Sequence, residues 1–154
     1  MRRKETLNTY EAVKEKALRL LEFRSHSEHE LSEKLRRAGA EQENIEAALS
    51  FCREYGFVND EDYAARKAID LFRLKKYGRR RIESELRSLG IAEEYIDLSA
   101  LDPDEERENL RSLAIKKLGG DYSQKSRDRC IRFLAYRGYD YYDIKDVMEE
   151  FHDI

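Results

Sequence analysis

The chain has 154 residues, of which 41% are charged and 40% hydrophobic, with one proline, seven glycines and a formal net charge of −3. This is the composition of a highly helical protein with large solvated faces, and the length suffices to bury a core. It excludes a membrane-spanning helix, because no apolar run approaches the roughly 18 residues needed, and the acidic balance speaks against a general nucleic-acid coat.

The first predicted helix covers residues 9–24, where Val13, Ala17, Leu20 and Leu21 follow the 3.6-residue period. Ser27-Glu28-His29-Glu30 reads as a capping box that opens the second helix. Leu31 and Leu35 form its apolar face, and Gly39 closes it. Ile45, Ala48, Leu49 and Cys52 mark a third helix that stops at Gly56. Asn59 or Asp60 caps a fourth, with Ala64, Ala65, Ala68, Ile69 and Phe72 as its apolar set. Gly78 separates it from a helix with Ile82, Leu86 and Leu89, ended by Gly90, and a short helix with Tyr95 and Ile96 follows. Asp102-Pro103-Asp104-Glu105 is a strong helix start. Leu110, Leu113, Ala114 and Leu118 continue that helix to Gly119-Gly120. Cys130, Phe133 and Leu134 lie on the next helix, and Ile144, Val147, Met148 and Phe151 on the last.

Gly39, Gly90 and Gly138 lie 51 and 48 residues apart with matching neighbours. Leu35, Leu86 and Leu134 precede them by four residues, and Ile45, Ile96 and Ile144 follow by six. One unit is used three times, which predicts an all-α fold of three tandem three-helix repeats in an extended right-to-left stacked array of about nine helices. The expected domains are residues 1–58, 59–101 and 102–154. Such an array suits a long partner better than a small molecule. The repeats also point to a monomer.

Charge is unevenly spread. Residues 73–87 hold Arg73, Lys75, Lys76, Arg79, Arg80, Arg81 and Arg87 against two acids, and residues 116–137 hold Lys116, Lys117, Lys125, Arg127, Arg129, Arg132 and Arg137 against two more. These basic zones suggest a polyanionic or acidic partner. The acidic excess sits at residues 102–108 and 140–153. Arg79, Arg80 and Arg81 fall in the first turn of a helix, where cations oppose the dipole at about 0.3–1 kcal/mol each. The matching turn of the first repeat is Glu28-His29-Glu30. Pairing with Glu83 and Glu85 at four-residue spacing offers little, so the triplet reads as an anion-binding feature rather than a local stabiliser. Among Tyr136, Tyr139, Tyr141 and Tyr142, the position of Tyr139 beside Gly138 favours core, while Tyr141 and Tyr142 suit a contact surface or a core equally.

Catalytic chemistry is not evident. The three histidines lack metal-ligand spacing, Gly119-Gly120 lacks the lysine and hydroxyl of a nucleotide loop, and no nucleophile has a matching base. The two cysteines fall on apolar registers and read as buried thiols. The reading is a cytoplasmic protein that is not an enzyme and needs no cofactor; MRRKETLNTY has no apolar stretch after its basic residues and does not read as a secretory signal.

Four elements in order, SHSEHELSEKLRRAG, FVNDEDYAARKA, YGRRRIESELRSLGI and RFLAYRGYDYYDI, resemble the RecX family of RecA regulators. The likeness runs from about Ala17 to Phe151, leaving Met1–Lys4 outside it. The family usually has aspartate at Asn59 and phenylalanine at Tyr63 and Tyr139. The resemblance implies three tandem three-helix repeats that lie in the groove of the RecA filament on DNA and modulate its ATPase, strand-exchange and coprotease activities, most often as inhibitors. A direct DNA-binding helical module, or a filament regulator with weak direct DNA contact, fits the basic zones as well.

Overall fold

The structure is a computed structural model that describes residues 6–152. The basic residues Met1–Lys4, and Asp153 of the acidic tail, lie outside the described residues. The described chain is all-helical, with eight α-helices and one 3-10 turn: α1 (Tyr10–Phe23), α2 (Glu28–Arg37), α3 (Gln42–Glu54), α4 (Asp60–Arg73), α5 (Arg79–Ser88), the turn at Glu93–Tyr95, α6 (Pro103–Leu118), α7 (Gln124–Tyr136) and α8 (Tyr141–Glu149). None is long and apolar enough to cross a membrane.

Side-chain caps mark most helix starts, though α3 begins at Glu41 without one. The Thr9 hydroxyl accepts the Ala12 amide at 3.2 Å. Ser27 and Glu30 form the reciprocal capping box. Asn59, not Asp60, caps α4 by accepting the Asp62 amide at 3.1 Å. Asp102, Ser123 and Asp140 cap α6, α7 and α8. The expected helix after Gly90 shrinks to the single 3-10 turn Glu93–Tyr95, whose start Ala92 has no side-chain cap, as Glu41 at the start of α3 has none. The buried face of α4 is Tyr63, Ala64, Ala68, Leu71 and Phe72, while Ala65 and Ile69 are exposed. Phe151 lies beyond the end of α8 yet is buried.

The chain divides into two compact units. One holds the chain through Ala65 together with Arg87–Ile96, and the other holds Arg66–Leu86 and the chain from Asp97 on. In the first unit Val13, Ala17, Leu31, Leu35, Ile45, Ala48 and Cys52 form the core of α1, α2 and α3. In the second, Leu110, Ala114, Cys130, Leu134, Ile144 and Val147 do the same for α6, α7 and α8. Burial pushes both thiols, Cys52 and Cys130, above their ordinary pKa.

Each unit contains the same kind of joint, in which a helix start meets another helix's end. In the first, the Ser27 hydroxyl donates to the Leu89 carbonyl at 2.6 Å, and a Cβ at Gly90 would run into His29. In the second, the Gly78 amide donates to the Arg137 carbonyl at 2.9 Å and the Arg80 amide to the Gly138 carbonyl at 3.2 Å. There a Cβ on Gly78 would strike the Gly138 and Tyr139 backbone, and one on Gly138 would strike Arg81. In the second joint amides at a helix start thus satisfy carbonyls left over at a helix end, in the first the Ser27 hydroxyl does so, and in both the two dipole ends attract. Gly39 shares the left-handed conformation, at φ 99°, but nothing among the described residues lies within 4 Å of where its Cβ would be.

Candidate functional site

The structure sorts the basic residues of the second unit into tied and untied groups. Arg79 is tied: Nε donates to Glu106 at 2.7 Å, and the two terminal nitrogens donate to the Leu98 and Leu101 carbonyls at 2.7 and 2.8 Å. Arg80 pairs with Asp140 at 3.0 Å. Arg81 pairs with Glu85 at 2.9 Å and donates to the Tyr136 carbonyl at 3.3 Å. Each arginine of the triplet therefore has a partner within the fold. The partners of Arg79 and Arg80 are far away in sequence, while Arg81 takes Glu85 at four-residue spacing. Arg73 pairs with Glu105 at 3.4 Å, and in the first unit Arg87 pairs with Glu93.

Cations and rings alternate through this region. The Arg81 guanidinium lies 5.0 Å from the Tyr136 ring and 4.6 Å from the Tyr77 ring. Arg137 lies 4.9 Å from Tyr77 and 5.7 Å from Phe133, and Lys117 lies 4.8 Å from Phe133. Each such contact contributes about 0.5–1 kcal/mol at an exposed site. Arg137 also donates to the Lys75 carbonyl, which fixes the end of α4. Its buried Nε has no hydrogen-bond partner among the described residues.

The ladder ends in a groove of about 600 Å³ lined by Leu74, Lys75, Lys76, Ser112, Leu113, Lys116, Lys117, Phe133 and Arg137. The chain after α4 supplies the first three. Ser112, Leu113, Lys116 and Lys117 share one face of α6 at helical spacing. Phe133 comes from α7, and Arg137 follows its end. The two basic zones of the sequence thus meet. Among the described residues, none of the four lysines has a carboxylate partner; Lys76 reaches only the Ser112 hydroxyl, at 3.5 Å. Lys76 is also the one non-glycine described residue with positive φ, 53°. Its carbonyl accepts the Tyr139 hydroxyl at 2.7 Å.

Of the other sequence candidates, Arg127 turns inward, with Nε donating to the Tyr122 carbonyl at 2.8 Å and a terminal nitrogen to the Phe151 carbonyl. Lys125, Arg129 and Arg132 are exposed on α7 at steps of four and three residues. Tyr141 and Tyr142 are 59% and 80% exposed. Tyr139 is buried, and desolvation lifts its phenol well above the ordinary pKa. Sequence reasoning missed Leu74, Ser112, Leu113 and Phe133 as groove residues. In the sequence Leu74 was marked only by its place beside Lys75 and Lys76; its 77% exposure came with the fold.

The first unit holds a second cluster of titratable groups. Glu30 accepts from Arg24 at 2.8 Å, the Ser27 amide at 3.1 Å and the Tyr63 hydroxyl at 2.8 Å. Desolvation alone would raise its carboxyl; these donors outweigh it and hold the pKa at about 2. Desolvation, with the bond to Glu30, pushes Tyr63 up to about 12. His26, 2% exposed, donates from Nδ1 to the Arg24 carbonyl at 2.9 Å and accepts the Lys34 ammonium on Nε2 at 2.8 Å. These groups are mutually satisfied and fasten α2 in place. No group of three or more potential metal ligands occurs among the described residues.

Comparisons with known proteins agree with the repeat organisation. The RecX first, second and third three-helix domains match residues 14–52, 59–98 and 104–148. Regulatory protein RecX of Vibrio campbellii is 38% identical, over 83% of this chain and 84% of its own length. Regulatory protein RecX of Escherichia coli is 33% identical, over 94% of each chain. The crystal structure of RecX from Lactobacillus salivarius superposes with a TM-score of 0.79 at 19% identity, covering 94% of this chain and 97% of that one, which speaks for the fold. The order of the three matched domains, with the identity to whole relatives, places this chain in the RecX family of regulatory proteins.

Proposed function

We propose that the protein binds the RecA filament on DNA, as a cytoplasmic monomer, and lowers the filament's ATPase, strand-exchange and coprotease activities. The observation that carries this reading is the groove at the end of α4. Four lysines line it with no carboxylate partner among the described residues, on a chain of a regulatory family. Like charges held together are unfavourable on their own and become favourable when an anionic surface arrives. The exposed cations Lys125, Arg129 and Arg132 favour a second, weaker contact, with the DNA inside the filament. The test is DNA-dependent ATP hydrolysis by RecA titrated with this protein. Hydrolysis should fall with saturation, and binding to bare DNA should be far weaker and steeply salt-dependent. Unchanged hydrolysis at saturating protein rejects the reading.

A further inference from the structure

We propose that the groove at the end of α4 docks an acidic protein segment carrying one aliphatic side chain, rather than a nucleic-acid backbone. The proposal rests on the reading that the protein binds a RecA–DNA filament, which offers both kinds of anion.

Charge alone does not choose between them. Lys75, Lys76, Lys116 and Lys117 would suit phosphates or carboxylates. The apolar part of the groove decides. Leu113 and Phe133 are half-buried within it, and Leu74 stands 77% exposed among the lysines. A phosphodiester backbone has nothing to bury there, and nucleotide binding would need an open aromatic face on which a base could stack. The Phe133 ring instead carries Lys117 at 4.8 Å and Arg137 at 5.7 Å. What remains is aliphatic surface ringed by ammonium groups, complementary to a leucine, isoleucine or valine flanked by aspartates or glutamates. A volume of about 600 Å³ accommodates a few such side chains.

Lys76 supplies an independent argument. The other positive-φ positions described, Gly39, Gly56, Gly90, Gly119, Gly120 and Gly138, are all glycine. Lys76 alone keeps a side chain in a conformation that disfavours one. The Tyr77 amide reaches back to the Leu71 carbonyl at 3.1 Å, so glycine could close this helix end equally well. The backbone therefore gives no reason for lysine, and the position of its ammonium in the groove does.

The experiment uses the whole protein bound to RecA filaments on single-stranded DNA, with binding first established by co-sedimentation. A carbodiimide is then added. It condenses an amine with a carboxylate, losing water, and cannot join an amine to an internal phosphodiester. Peptide mass spectrometry should find at least one of Lys75, Lys76, Lys116 and Lys117 joined to a partner aspartate or glutamate. Leu74→Ser should lower the yield several-fold with an unchanged thermal midpoint and unchanged affinity for bare oligonucleotide. Lys76→Gly should also lower filament affinity, with a midpoint unchanged or higher. Co-sedimentation with cross-links only at other lysines overturns the proposal while leaving filament binding intact. Protection of the four lysines from acetylation by oligonucleotide alone overturns it in favour of nucleic acid. Absence of co-sedimentation overturns the filament reading, and this proposal with it.

Discussion

His26 is buried, and each of its ring nitrogens has a partner. Nothing local announces Lys34, eight residues on, as the donor to Nε2. Desolvation, reinforced by the Arg24 and Lys34 charges, lowers the His26 pKa from 6.5, while the Arg24 carbonyl and Glu30 act the other way. The unfolded chain therefore takes up the proton first. The stability His26 contributes is fully present above about pH 6.5 and is lost as pH falls below it. Glu30 adds a separate loss in acid, between its ordinary value of 4.5 and about 2. His26→Gln keeps a donor and an acceptor without the titration. Its thermal midpoint should change less between pH 7.5 and 5.5 than that of the parent; an equal slope in the two proteins contradicts this account. Tyr63 and Tyr139 follow the same lesson. Each hydroxyl has found a partner distant in sequence, Glu30 and the Lys76 carbonyl respectively.

At the scale of elements, helix starts were the most legible feature, because a cap is a local event. The Ser27–Glu30 box and Asp102-Pro103 stand where their residues predict. The helix after Gly90 was less legible, since apolar spacing around Ile96 resembles that of Ile45 and Ile144, yet the chain there makes only the 3-10 turn Glu93–Tyr95. The joints could not be read at all. The glycine register marks helix ends, but whether another helix start covers a glycine depends on tertiary approach. This separates Gly39 from Gly138, which share a φ of 99°. Alanine at Gly39 meets only conformational cost, about 1–2 kcal/mol. Alanine at Gly138 meets that cost and the Arg81 backbone as well. Each kcal/mol lowers the melting temperature by about 2–4 °C for a chain of this length. Calorimetry should therefore show the larger fall for Gly138→Ala, and equal falls would contradict the joint.

For the whole molecule, composition and repeat spacing made the helical architecture legible, and the four ordered motifs made the family legible. The site was half legible. Both basic zones were visible as charge, but sequence could not tell a cation held by a distant carboxylate from one left for a partner. Arg79 and Arg80 looked exceptional because Glu106 and Asp140 lie 27 and 60 residues away. The lysines looked ordinary and prove to line one groove. The central claim is that the groove lysines, and not the arginine triplet, carry filament binding. The direct measurement is inhibition of RecA ATPase by two folded variants. One carries glutamine at Lys75, Lys76, Lys116 and Lys117; the other is Arg80→Gln, which removes the most exposed pair of the triplet. The account predicts that half-inhibition by the lysine variant needs at least about tenfold more protein, a loss of about 1.4 kcal/mol. Its thermal midpoint should match or exceed the parent's, and Arg80→Gln should inhibit within about twofold of the parent. Full inhibition by the lysine variant, or its loss in Arg80→Gln with the fold intact, would contradict it.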